Sequence, residues 1–127
     1  MLIIKQHRIY RQDLIANRQI LYVFGDNLER VGLGGQAKEM RSEPNAHGIA
    51  TKRKAAHGHD NCYFHDSEAD AMEAVIKDFS HLRRRFKIGQ YRALIWPGDG
   101  IGTGLAELNT RAPLLLDFIN SQMEQLQ

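Results

Sequence analysis

Two runs of this chain carry residue types suited to holding phosphate oxygens. Gly32, Gly34 and Gly35 follow the polar pair Asp26-Asn27, and Gly98, Gly100, Gly102 and Gly104 follow Trp96-Pro97. Without a side chain, glycine lets the backbone approach a ligand closely and adopt positive φ. Successive bare N–H groups then form a concave donor surface for an anion. The bland alternative is that these glycines only make tight turns. Two such runs, each placed after an apolar stretch, favour a nucleotide-type ligand. Neither is followed by Gly-Lys-Ser/Thr and neither has the Gly-x-Gly-x-x-Gly spacing, which speaks against a P-loop kinase or a Rossmann dehydrogenase.

Lys52 follows Thr51 at the end of another apolar segment. A lysine there can pair with a phosphate, or attack a sugar carbon as an amine if its pKa is depressed. Its place beside Arg53 and Lys54 also fits an ordinary solvated basic tract. Asp26 and Asn27 stand where a strand-end polar pair would meet a base or ribose, or would simply cap a turn. His57, His59, Cys62 and His65 offer metal-ligand types within nine residues, but their spacing matches no familiar zinc pattern, and no metal is expected. Cys62 lacks an assigned base and is not expected to act as a nucleophile. Tyr63 and Phe64 either stack on a base or anchor this loop to the core.

The elements that must position these groups follow from hydrophobic spacing. Leu2-Ile3-Ile4 reads as an edge strand and Arg11–Asn17 as a short helical connection. Ile20–Phe24 is apolar on both faces and reads as a buried central strand ended by Gly25-Asp26-Asn27. Gln36–Arg41 reads as a short helix stopped by Pro44. His47–Thr51 reads as a strand. Ala55–Asp66 has neither helical nor strand period and reads as a long loop. Asp66 or Ser67 is expected to cap a helix whose buried stripe runs from Ala69 to Phe86 and which Gly89 closes. Tyr91–Trp96 reads as a second buried strand. Asn109 or Thr110 is expected to cap a last helix that tolerates Pro113 in its first turn. Strands alternating with helices argue for a single three-layer α/β/α domain over residues 1–127, with a mixed, largely parallel sheet.

Composition sets bounds. With 127 residues the chain is long enough for one real core, and a net charge of +2 is too balanced to imply nucleic-acid binding by itself. A single cysteine excludes an internal disulfide and fits a cytoplasmic setting. No stretch approaches the length needed to span a membrane, and the N-terminal segment lacks the apolar run of a signal peptide.

Val23-Phe24-Gly25-Asp26-Asn27 through Gly34-Gly35-Gln36-Ala37 resembles the first ligand loop of a macrodomain, the ADP-ribose-binding fold. Ile95-Trp96-Pro97 through Gly100-Ile101-Gly102-Thr103-Gly104-Leu105 resembles its diphosphate-binding loop. Ile49-Ala50-Thr51-Lys52 and the long amphipathic helix bring the pattern nearest to the branch of terminal ADP-ribose and DNA ADP-ribosyl glycohydrolases. The chain also resembles small bacterial and phage proteins with a Phe-Gly-Asp-Asn…Gly-Gly-Gln-Ala…Thr-Lys pattern. The resemblance implies an ADP-ribose-type ligand, free or attached to a macromolecule. It implies contacts from Gly25, Asp26, Asn27, Gly34, Gly35, Gln36, Thr51, Gly100, Ile101, Gly102, Thr103 and Gly104, and no cofactor. It implies Lys52 as nucleophile toward ribose C1, assisted by an acid of the second loop. The acid's place holds Ala106, with Glu107 beside it and Asp99 nearby.

Two readings therefore stand. One is an ADP-ribose or NAD-derived nucleotide-binding domain that removes ADP-ribose by glycosidic hydrolysis. The other is a nucleic-acid or protein interaction module of the same fold without catalysis. Its support is Lys52-Arg53-Lys54 and Arg83-Arg84-Arg85-Lys87. The oligomeric state is left open by the sequence.

Overall fold

The computed structural model describes residues 1–127. Four strands, β1 (Ile3–Gln6), β2 (Ile20–Asn27), β3 (Ala46–Lys52) and β4 (Ala93–Pro97), form one sheet in the order β1-β4-β2-β3. Every neighbouring pair is parallel, so the sheet is not mixed. The only antiparallel pairing is an isolated bridge between Lys52 and Tyr63. All five residues of β4 are buried, as expected for a parallel strand covered on both faces.

The two faces bury different helices. On one face Leu21, Val23, Leu94 and Trp96 pack with Val75, Phe79 and Leu82 of α3 (Ala69–Ile88). Leu115, Ile119 and Met123 of α5 (Pro113–Gln125) join them, with Leu108 of the one-turn α4 (Leu108–Arg111). Phe79 and Trp96 stack with ring centroids 6.2 Å apart. On the other face Tyr22, Phe24 and Ile95 pack with Leu14 of α1 (Arg11–Ala16) and Ala37 and Met40 of α2 (Ala37–Met40). Tyr22 and Trp96 are both core residues.

The exposed side of β3 is closed by α3. Asp78 accepts from the Ala50 N–H at 2.7 Å, and Arg85 donates to the Ala46 carbonyl at 2.5 Å. Side chains thus satisfy backbone groups that would otherwise leave an open edge.

Helix starts differ from expectation. Glu68, not Asp66 or Ser67, precedes α3, and Ser67 adopts a positive φ of 70°. The Asp66 carboxylate serves α5 instead, accepting from Leu114 and Leu115 N–H at 3.2 and 3.1 Å. Neither Asn109 nor Thr110 caps α5, because both lie inside α4; Pro113 opens α5, where its missing N–H costs no helical bond.

Candidate functional site

β2 leads into α2 on one face of the sheet, while its neighbour β4 leads into α4 and α5 on the other. Connections that leave adjacent strands in opposite directions open a crevice at the strands' carboxyl ends. The cavity found there measures about 330 Å³. Both glycine runs line it: Gly25, Gly32, Gly34 and Gly35 from the β2 side, and Gly100, Gly102, Thr103 and Gly104 from the β4 side. Asp26, Asn27, Gln36, Thr51, Lys52 and Asp99 also line it.

No N–H group from Val31 to Gln36, or from Ile101 to Ala106, donates to a backbone acceptor in the fold. Two runs of free donors thus border one cavity. Gly102 explains why glycine is needed in the second. Its φ is 85°, and a Cβ there would stand 2.3 Å from Leu108 Cδ1, with its carbonyl already accepting from Leu108 N–H. Arg30 and Glu107, each flanking one run, have φ of 57° and 54°, sparsely populated for such residues.

Asp26 is pinned rather than free. Its Oδ1 accepts from Arg41 Nη2 at 2.5 Å and from Asn27 N–H at 2.8 Å, and Arg30 lies 3.7 Å from Oδ2. Arg41 also donates to the Gly32 and Val31 carbonyls at 2.7 and 3.2 Å, so the pair holds the first glycine run in shape. Gly48 makes room for the Asp26 carboxylate, since a Cβ there would lie 2.5 Å from Oδ2. A register shift between Asp26 and Asn27 turns the strand end at this point.

Asn27 differs. Its Nδ2 donates to the Val31 carbonyl at 2.8 Å, which fixes the amide's orientation. Its Oδ1 is buried with no donor, the only such side-chain atom in the fold. A buried, unpaired acceptor is costly unless a ligand or water supplies a donor.

Gln36 bridges the two loops: Oε1 accepts from Gly25 N–H at 2.9 Å and Nε2 donates to the Gly100 carbonyl at 3.0 Å. Its amide is committed to joining strand end to loop, so it positions the site. Thr51 Oγ1 donates to the Asp26 carbonyl at 3.1 Å.

Lys52 is buried, with 6% of its surface exposed. Its Nζ donates to the Ala56 carbonyl at 2.8 Å and lies 2.9 Å from His57 Nδ1 and 4.9 Å from the Tyr63 ring centroid. Burial pushes the amine below its usual pKa, with Cys62 and Glu107 acting weakly the other way.

Two expected site residues fall outside the cavity lining, and a third stands at its rim. Ile101 is fully buried and belongs to the core, because its side chain packs beneath Gly25. Glu107 does not line the cavity; its carboxylate accepts from Arg111 Nε at 3.1 Å within α4. Asp99 sits at the rim, its side chain 92% exposed and 3.4 Å from His7 Nδ1. No carboxylate hydrogen-bonds Lys52. Conversely, Arg41 lines the cavity without a local signal in the sequence, and His57, noted only as a metal-ligand type, lines it too. Val31, Leu33 and Leu105 form an exposed apolar rim.

The long loop is anchored through buried Cys62, Tyr63 and Phe64, so the two aromatics are core anchors rather than stacking platforms. No three of its histidine, cysteine or acidic side chains converge as metal ligands. The basic set divides. Lys52 faces inward, Arg53 pairs with Asp70 and Glu68 at 2.6 and 3.1 Å, and Arg85 is tied to the Pro44 and Ala46 carbonyls. No helix is long and apolar enough to cross a membrane.

Fold and site together define an α/β/α protein with a glycine-lined cavity at the strand ends. The chain belongs to DUF7831, a family of unknown function whose model matches residues 4–122. No curated protein and no solved structure matches it.

Proposed function

We propose that the cavity binds ADP-ribose or a related NAD-derived nucleotide, with the diphosphate between the two glycine runs. The observation that carries this reading is the pair of free N–H runs bordering one cavity. Such donors suit an anion that bridges both loops, as a diphosphate can. Asn27 supports the same reading: it lines the cavity and holds a buried acceptor that no donor of the fold satisfies. The volume is within the range of small-molecule sites.

Hydrolysis is the further step of this reading. The Lys52 amine would form a bond to ribose C1 as the glycosidic bond breaks toward the leaving group, and water would later release the sugar. Burial keeps a larger share of that amine neutral than on a surface lysine. The Lys52 amine has no carboxylate among its hydrogen-bond partners.

Thermal denaturation with ADP-ribose, ADP and ribose 5-phosphate tests the binding claim. Ligand at about 100 times its Kd adds about 2.7 kcal/mol to stability, a shift easily read in a melt. ADP-ribose should raise the melting temperature more than either fragment. Lys52→Ala should keep that shift while abolishing any release of ADP-ribose from a modified substrate. Loss of the shift in Lys52→Ala would instead make Lys52 a binding residue.

A further inference from the structure

The loop between β3 and α3 has a feature that its anchoring does not explain. Ala56 and His57 are both exposed, yet both reach back to one buried atom, Lys52 Nζ. An ammonium has three N–H groups and a neutral amine has two. The Ala56 carbonyl at 2.8 Å and His57 Nδ1 at 2.9 Å are two acceptors, and both are uncharged when the imidazole is neutral. No carboxylate accepts from the amine, since Glu107 is bonded to Arg111. Tyr63 closes another side, with Arg111 stacked 3.8 Å from the same ring's centroid. Two positions on the nitrogen are thus held from the loop, and one remains for the cavity that Lys52 lines.

We infer that His57 is a positioning residue for Lys52, fixing Nζ so that its remaining position, the lone pair when the amine is neutral, faces a carbon electrophile in the cavity. The electrophile class is a sugar anomeric carbon or a carbonyl. This rests on reading the cavity as a ligand site, but its test uses no nucleotide and can fail independently of ADP-ribose binding.

The test is reductive methylation by formaldehyde and cyanoborohydride across a pH series. Peptide mass spectrometry reads Lys52 against exposed Lys54 in the same molecule. In the wild-type protein the Lys52 reaction should reach half its plateau at lower pH than that of Lys54. Removing the imidazole in His57→Ala admits water to Nζ. That water replaces the lost acceptor and restores hydration of the ammonium. The Lys52-to-Lys54 rate ratio at neutral pH should fall about tenfold, equivalent to one pKa unit, and the Lys52 midpoint should rise. His57→Asn, whose amide oxygen can stand near the Nδ1 position, should recover part of the ratio. A loss of structure alone would not give that rescue, and His57 is exposed, so both variants should melt as the wild type does. An unchanged ratio and midpoint in His57→Ala, or an equal loss in both variants, would overturn the inference.

Discussion

Asn27 is where the chemistry of this protein is most exposed at the residue scale. One end of its amide holds the Val31 carbonyl and the other has no partner. Asp26, adjacent in sequence, is the reverse case: its carboxylate is engaged by Arg41, Arg30 and the Asn27 N–H. The pair therefore divides the work, with Asp26 shaping the loop and Asn27 keeping a buried acceptor unpaired beside the cavity. Asn27→Ala should weaken ADP-ribose binding about tenfold, the worth of one hydrogen bond to a buried acceptor, measured by calorimetry. The aspartate–asparagine sequence alone does not separate these roles, because the partners Arg41 and Arg30 reach Asp26 only after the loop has folded.

At the scale of elements, the contacts between helices and strand ends decide where the loops sit. Asp66 lies 48 residues before the α5 N–H groups it satisfies, which is why local sequence assigned it to the nearer helix. Asp66→Ala should lower stability by about 1 kcal/mol, the cost of a lost helix cap, read from denaturant unfolding. His47 joins β3 to α3, its Nε2 3.0 Å from the Asp78 carbonyl. Burial holds its pKa below the usual 6.5, so the folded protein binds that proton less readily than the unfolded chain. Between the two values the unfolded state carries more protons, and stability falls as pH drops from about 6.5 through the depressed folded value. Unfolding free energy measured from pH 7 downward should show this slope, and His47→Gln should flatten it. Gly102 is the tightest backbone requirement in the second loop. Gly102→Ala should lower stability by about 1–3 kcal/mol, from positive φ and the clash with Leu108 together, and weaken nucleotide binding in the same melts.

For the whole molecule, the strand order β1-β4-β2-β3 puts both glycine runs at one crevice. Much of this was legible beforehand. Ile20–Phe24 and Tyr91–Trp96 read as buried strands because they are apolar on both faces, and both sit in the middle of the sheet. The gathering of Gly34, Gly35, Gly102, Gly104, Thr51 and Lys52 around one cavity follows from their places at strand ends. What sequence could not show depended on long-range contact. His57 meets Lys52 only because Tyr63 pairs back onto β3, and Glu107 turns to Arg111 rather than to the cavity. Ile101, expected among the ligand contacts, is a loop residue whose side chain is core, since the second loop folds it beneath Gly25.

The most direct measurement of the central claim is an amide-resolved NMR titration of the wild-type protein with ADP-ribose. The account predicts saturable shifts concentrated in Val31–Gln36 and Ile101–Ala106, the two runs whose N–H groups have no backbone acceptor. An unchanged spectrum at millimolar ligand, or shifts confined to the Arg83–Lys87 face, would contradict it.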